Sequence, residues 1–128
     1  MFDVEGLEPA FYRYLPVEHQ LLFEFSESGA AAKLAAAALG QAFVGQSAVT
    51  FLWTAIPYRM EWRYGAAAHK TLAIDAGHVC QNLYLAAESI GCGVCAIAAF
   101  DDQALNDALA LDGESQFAIY LGTVGKRP

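Results

Sequence analysis

The pattern of apolar and polar positions is dominated by one stretch near the middle of the chain, Gly65 to Phe100. Its first part, Ala66 to Ile90, contains no proline and a single glycine, and its apolar side chains lie almost all the way round a helix. A helix with apolar side chains on most sides is buried on most sides. The pattern therefore predicts a central buried helix over Ala66–Ile90, followed by a left-handed C-cap at Gly91.

Three further runs have the length and the apolar character of buried strands. A short unbroken apolar run that is bounded by turn signals is typical of a strand covered on both faces. The predicted strands are Ala48–Ala55, Val94–Phe100 and Phe117–Val124. After the last of them, residues 125–128 are predicted to form a basic C-terminal tail.

The remaining segments predict a hairpin and three shorter helices. Two β-prone segments at residues 11–14 and 20–25 flank a turn-forming stretch, which predicts an N-terminal β-hairpin with a longer loop. Helix propensity and capping residues predict helices over Ala30–Leu39, Tyr58–Tyr64 and Gln103–Leu109. A hairpin followed by alternating strands and helices indicates one domain of the α/β or α+β class, with a mixed sheet.

Composition and charge narrow the classes of partner. Charged residues make up 16% of the 128 residues, below the usual share of about 25%, which predicts either an oligomer interface or a missing part of the same protein. The net charge of −7 argues against nucleic acid, which is recognised by a basic face. No apolar run reaches the roughly 20 residues of a membrane span. Three cysteines and the absence of a visible signal peptide predict a cytoplasmic protein.

Two small groups of residues have a spacing that could carry chemistry. Cys92 and Cys95 form a C-x-x-C pair, but a redox pair usually starts a helix, and the ligands for a zinc site are irregularly spaced. Asp75 and His78 are three residues apart and share a helix face. A carboxylate that orients an imidazole is a catalytic device, whereas a dimer contact or a satisfied core histidine is the structural alternative.

Six segments in this order resemble the nitroreductase superfamily of flavin enzymes. Within it, the chain is most similar to the SagB-type dehydrogenases, which include the azoline oxidases of thiazole/oxazole-modified peptide biosynthesis. The segments are VEGLEP with FYRY, ALGQAF, EWRYG, DAGHVCQNL, AAFDD and YLGTVG, and they begin at residues 4, 11, 38, 61, 75, 98 and 120. The resemblance covers nearly the whole chain.

The resemblance implies an α+β, nitroreductase-like fold and an FMN-dependent oxidoreductase that works by ping-pong hydride transfer through the flavin. It also implies a homodimer that is held together through the Ala66–Ile90 helix. The expected substrate is a small molecule or a peptide. No membrane or nucleic-acid partner is expected.

By the same resemblance, the segment that contains Cys95, Ile97, Ala98 and Ala99 runs along the isoalloxazine ring, with backbone amides facing the N5 and O4 edge. Small side chains allow such a close approach. Without the resemblance, a plain buried strand is the favoured explanation of this run; with it, the two explanations are about equal.

The resemblance also implies functional roles for two further pairs of residues. Lys126 and Arg127 are expected to contact the FMN phosphate, or alternatively to form a solvated basic tail. Arg63 and Tyr64 stand at the site of a Lys-Tyr pair that serves acid/base chemistry in the azoline oxidases. Tyr64 keeps the hydroxyl, but the guanidinium of Arg63 is a poor proton donor or acceptor. The alternative is that Arg59 and Arg63, four residues apart, merely flank Trp62 on a surface helix.

One departure from the family pattern bears on the cofactor. Family members carry a further N-terminal portion with an arginine cluster that binds the FMN phosphate, whereas the first basic residue here is Arg13. We therefore expect residues 1–128 to form one nitroreductase-like domain that lacks this portion. The competing hypothesis to an FMN enzyme is a truncated, non-catalytic module that dimerises or binds a partner without flavin.

Overall fold

A computed structural model describes residues 3–127 of the chain. Its strands are β1 (Phe11–Leu15), β2 (Gln20–Phe25), β3 (Val49–Ala55), β4 (Cys92–Ile97) and β5 (Phe117–Lys126). Its helices are α1 (Ala30–Ala37), α2 (Phe43–Gln46), α3 (Tyr58–Tyr64), α4 (Ala68–Ser89) and α5 (Asp102–Ala108), with a 3₁₀ turn at Gly65–Ala67 before α4. The predicted α+β class and the N-terminal hairpin are confirmed.

The main sheet has three strands in the order β3-β5-β4. Both pairings are antiparallel, so the described sheet is not the mixed sheet that the sequence predicts. Because β3 and β4 are each antiparallel to β5, they run parallel to each other. Both of them end at the side of the sheet where β5 begins.

Helices cover both faces of this sheet. One face packs against α1, α2 and α5 in a core that includes the fully buried side chains of Leu34, Leu105 and Leu121. The other face packs against α4. There, an added Cβ on Gly122 would lie 3.1 Å from Cδ2 of Leu83, so this glycine permits a close approach of helix and sheet.

Helix α4 is the predicted long helix, and Gly91 follows it with a φ of 71°. In the single chain, however, the helix is not buried on most sides. Its buried residues are Ala68, Ala76, Cys80 and Ala87, whereas Ile74 and Leu85 are 47% and 63% exposed. The sheet takes up one side of the helix, and its opposite side faces outward.

Two strand boundaries differ from the prediction in ways that affect the candidate site. Strand β4 ends at Ile97, so Ala98, Ala99 and Phe100 are outside the strand. Strand β5 continues to Lys126, which pairs with Cys92, so Lys126 belongs to the sheet and not to a tail. Helix α2 was not predicted, because its four residues are too few to show a helical period.

The hairpin of β1 and β2 forms a separate two-stranded sheet. An ion pair between Arg13 and Glu24 at 2.8 Å and a hydrogen bond between Tyr14 Oη and His19 Nδ1 at 2.8 Å connect its strands and its loop. Across residues 3–127, we find no helix that combines the length and the apolar character needed to cross a bilayer.

Candidate functional site

Two groups of predicted site residues follow strands β3 and β4, which stop toward the same end of the sheet. The segment Ala98–Ala99 leaves the end of β4, and α3 with Arg63 and Tyr64 starts shortly after the end of β3. Antiparallel pairing of both strands with β5 places these two exits at the same end of the sheet. The topology therefore supports a common site for the predicted ring-edge and acid/base residues.

Three hydrogen bonds hold the segment from Ala96 to Asp101 against the rest of the protein. The amide of Ala96 donates to Tyr84 Oη at 3.0 Å. The Gln41 side-chain amide donates to the Ala99 carbonyl at 3.1 Å, and the amide of Asp101 donates to the carbonyl of Ala37 at 2.8 Å. The segment is thus fixed by α4 on one side and by the end of α1 and the following loop on the other.

The backbone amides of Ala98 and Ala99 lie between these anchors and are free to bind a ligand. Both residues are exposed, and neither amide has an acceptor within hydrogen-bond distance among residues 3–127. The Ala96 amide points away from β5, toward Tyr84. Two adjacent alanines therefore present backbone donors to the surroundings.

The two remaining residues of the predicted ring-edge segment lie within β4. Ile97 is 4% exposed and packs into the core with Leu34 and Leu121, so its side chain has no free surface for a cofactor. Cys95 is exposed, and its thiol lies 3.9 Å from the carbonyl of Ala96. A ligand could therefore reach Ile97 through its backbone alone.

Arg63 and Tyr64 are at the C-terminal end of α3 and are exposed. The Arg63 guanidinium carbon lies 5.7 Å from the centre of the Tyr64 ring, a cation–π arrangement. No hydrogen bond joins the Tyr64 hydroxyl to any residue in the described part of the chain. The hydroxyl is thus available to a substrate.

Lys126 and Arg127 lie at the other end of the sheet. Lys126 pairs with Cys92, the first residue of β4, whereas Ala98 follows its last residue. Arg127 forms an ion pair with Glu88 at the C-terminal end of α4. The structure therefore does not bring this pair together with Ala98 and Ala99.

Gln41 and Tyr84 were not predicted as site residues. Gln41 lies inside a segment that carries the family resemblance, which was a signal that could have found it. Tyr84 had no such signal, because a tyrosine on an apolar helix looks like a core residue. Both become visible only through bonds to a segment that is distant in sequence.

Behind the sheet, Cys80 and Tyr120 form a buried polar contact. Burial raises the pKa of the Cys80 thiol, although its hydrogen bond with Tyr120 acts in the opposite direction. Burial and, secondarily, the neighbouring Cys80 and Tyr84 raise the pKa of Tyr120. The raised pKa of each group disfavours its anionic form, so neither offers a ready nucleophile.

The two other candidate groups are the C-x-x-C pair and the pair of Asp75 and His78. Neither has the geometry that its predicted chemistry requires. Cys92 and Cys95 are free and lie three residues apart on one strand, about 10 Å along it, whereas a disulfide needs Cα atoms within about 7 Å. His78 Nδ1 is bonded to the carbonyl of Ile74, and not to Asp75. Within residues 3–127, no cluster of three or more metal-ligating side chains occurs.

A cleft of about 960 Å³ lies between the hairpin, β3 and α4. Aromatic and aliphatic side chains line most of it, among them Phe11, Phe51, Trp53 and Leu83. None of the predicted site residues contributes to its lining. It is a separate feature from the free amides after β4.

Comparison with known proteins assigns the fold to a family. The nitroreductase family profile matches residues 3–126, nearly the whole chain. This chain therefore belongs to the nitroreductase family.

Individual relatives agree with this assignment. The chain is 30% identical over 125 residues to MJ1384 of Methanocaldococcus jannaschii, a protein provisionally named a nitroreductase; the match covers 98% of this chain. The crystal structure of an Anabaena variabilis protein, also provisionally named a nitroreductase, superposes with a TM-score of 0.86 at 29% identity over 97% of this chain. The NADPH:FMN oxidoreductase of Vibrio harveyi shares the fold, with a TM-score of 0.66 and 24% identity over 78% of this chain.

The relatives are longer than this chain. It spans 61% of the length of the M. jannaschii protein, 25% of the A. variabilis chain and 46% of the V. harveyi chain.

Proposed function

We propose that this chain provides the ring-binding part of an FMN-dependent oxidoreductase of the nitroreductase family, in the SagB-type branch. The observation that carries the proposal is the pair of free backbone amides at Ala98 and Ala99. Flavin N5 and O4 are hydrogen-bond acceptors on one edge of a flat ring, and two adjacent N–H donors beside small side chains match such an edge. When bound, FMN would supply the redox chemistry, taking two electrons from a reductant and passing them to a second substrate in a ping-pong cycle.

The chain's own groups have distinct roles in this proposal. Ala98 and Ala99 donate backbone hydrogen bonds to the ring edge, while the Ile97 side chain anchors the segment in the core. Tyr64 is the candidate proton donor to the substrate, since its hydroxyl is exposed and has no partner among the described residues. The guanidinium of Arg63 lies near that ring and is better suited to attract an anionic group than to move a proton.

The phosphate end of FMN fits this chain less well. Lys126 and Ala98 are separated by the whole length of β4, about 20 Å for six residues. The ribityl phosphate tail is a chain of about seven single bonds and extends roughly 9 Å. The tail alone does not cover this distance, but the width of the ring and the length of the Lys126 side chain add to its reach. Arg127, by contrast, is already paired with Glu88.

The pairing of Arg127 with Glu88 favours a second candidate function. Without a phosphate site of its own, the chain could be a non-catalytic module that dimerises or binds a partner without flavin. The two candidates differ in one property, which is whether the isolated chain recognises the isoalloxazine ring.

Visible absorption separates them. We expect the purified chain to perturb the spectra of both FMN and lumiflavin, the ring without its tail, at micromolar concentrations. Ala98→Pro removes one donor and should weaken lumiflavin binding at least about fivefold, because a lost hydrogen bond leaves a ring acceptor unpaired. Asp102→Pro is the matched control, since proline is tolerated at the first position of a helix. A wild-type chain that leaves both spectra unchanged would exclude the flavin proposal for this chain.

We also propose that the protein is a homodimer assembled through α4, and that it resides in the reducing cytoplasm, where its three free thiols would persist. Residues 74, 78, 81 and 85 follow helical spacing along one side of α4, and all four are exposed in the single chain. Ile74 and Leu85 are the apolar members of this row. Exposed apolar side chains on a long helix form the kind of surface that a second copy can bury.

Ile74→Glu tests this interface. We expect the substitution to raise the dimer dissociation constant at least about a hundredfold, because it buries an unpaired carboxylate in each half of the interface. Light scattering after size exclusion would give the mass. The control is Val17→Glu in the hairpin loop, where the side chain is 90% exposed. A dimer of unchanged affinity in Ile74→Glu would place the interface elsewhere.

A further inference from the structure

The segment that presents the free amides is held by two residues from distant parts of the chain. Gln41 contacts Ala99 across 58 residues, and Tyr84 contacts Ala96 across 12 residues. Gln41 also donates from the same side-chain nitrogen to the carbonyl of Ala38 at 2.8 Å. One carboxamide therefore connects the end of α1 to the segment after β4.

The sequence of this segment makes such anchors necessary. Ala98 and Ala99 are exposed and carry only methyl groups, so their side chains bury little surface that could define the backbone conformation. The strand has already ended at Ile97, and α5 does not begin until Asp102. Bonds to the neighbouring carbonyl and amide groups must therefore set the direction of the two free amides.

The two anchors act on opposite sides of the free amides. Tyr84 binds the last outward-facing amide of β4, and Gln41 binds the carbonyl of Ala99. Rotation of the peptide groups between these points is restricted at both ends. The amides of Ala98 and Ala99 are thereby held in place without being used in a protein hydrogen bond among the described residues.

From this geometry we infer that Gln41 and Tyr84 are positioning residues, which orient the backbone donors of Ala98 and Ala99 toward the ring edge of a bound flavin. The inference rests on the proposed function. Neither side chain touches the flavin in this role; each acts through the peptide that it holds. Their effect is on the affinity for the ring and not on the fold.

Two isosteric substitutions test the role. Gln41→Glu replaces the donor by a carboxylate, which cannot donate to the carbonyls of Ala38 and Ala99. Tyr84→Phe removes the hydroxyl that accepts from Ala96. The matched controls make the same chemical changes at Gln46, at the end of α2, and at Tyr58, which is 81% exposed; neither control side chain has a hydrogen bond among the described residues.

Two readouts are measured on the full chain. Amide hydrogen exchange in the ligand-free protein reports the anchors: protection of the Ala96 amide should fall at least tenfold in Tyr84→Phe, and protection of the Asp101 amide should fall in Gln41→Glu. Lumiflavin titration reports the consequence, and each variant should bind about two- to tenfold more weakly, as expected for one lost hydrogen bond. Thermal unfolding should match that of the controls.

The outcomes separate this inference from the proposed function. If the wild-type chain binds lumiflavin and both variants bind it equally well, the positioning role is wrong and the flavin proposal stands. If the wild-type chain binds no lumiflavin, the flavin proposal fails and the positioning role fails with it. If both variants lose stability along with affinity while the controls do not, the two residues are structural, which also overturns the inference.

Discussion

Replacing Ile97 by alanine is expected to lower the free energy of unfolding by about 2–5 kcal/mol, because it removes a buried side chain and leaves a cavity. Ile97 is 4% exposed and packs in the main core, beside Leu34, Leu105 and Leu121. These residues connect β4, β5, α1 and α5, so the cavity cannot collapse without moving several elements. Chemical denaturation followed by circular dichroism would measure the loss.

A graded control is available at the same position. Ile97→Val removes one methyl group and should cost about 0.5–1.5 kcal/mol. Cys95→Ala, two residues earlier on the same strand, should have little effect because Cys95 is exposed. A loss below about 1 kcal/mol in Ile97→Ala would contradict the packing described here.

This prediction distinguishes a packing role of Ile97 from the cofactor contact that the sequence predicted for it. Ile97 was predicted as a cofactor contact by its place in the ring-edge segment. Its burial makes the side chain a core residue that supports Ala98 and Ala99 from below. In Ile97→Ala, we therefore expect a lower free energy of unfolding. The flavin affinity of the protein that remains folded should change little.

Replacing Gly45 by alanine is expected to destabilise the protein by about 1–3 kcal/mol through overpacking. An added Cβ would lie 2.6 Å from the backbone carbonyl oxygen of Ala31 and 3.0 Å from its carbonyl carbon. A backbone atom cannot move aside as the end of a flexible side chain can, so α1 and α2 must separate. Gln41, in the loop between these helices, should then shift relative to Ala99.

Thermal unfolding and lumiflavin titration would test this second prediction together. Gly125→Ala is the control, since no atom lies within 4 Å of its added Cβ and its φ lies outside the left-handed region. It should be neutral or slightly stabilising, because alanine loses less backbone freedom on folding than glycine. Equal stability of the two variants would show that α1 and α2 can adjust at no cost.

Much of the fold could be predicted because the elements are long or have strong local signals. The long helix, the hairpin, α3 and the three main strands appear within a few residues of their predicted bounds. The short helix α2 and the end of β4 were not predicted correctly. Four residues show no period, and the alanines after Ile97 are as apolar as the strand before them.

The candidate site was predictable only in part, for a related reason. The resemblance identified the segment at the end of β4 as a candidate ring-edge segment, and this role stays a prediction. It did not distinguish a side-chain role from a backbone role, since periodicity reports the polarity of side chains and contains no information about free amides. The residue pattern placed Lys126 in a tail, whereas pairing with Cys92 makes it the last residue of β5.

The sequence by itself determined the α+β class, the order of the main elements and the family, because apolar periodicity and conspicuous motifs are local properties of the chain. The tertiary structure alone decided which side of α4 faces outward, which end of the sheet holds Lys126, and how Gln41 and Tyr84 hold the Ala98–Ala99 segment. These features depend on contacts between residues that are far apart in sequence, such as the 58 residues between Gln41 and Ala99. No local spacing specifies which distant hydrogen-bonding groups meet when the chain folds.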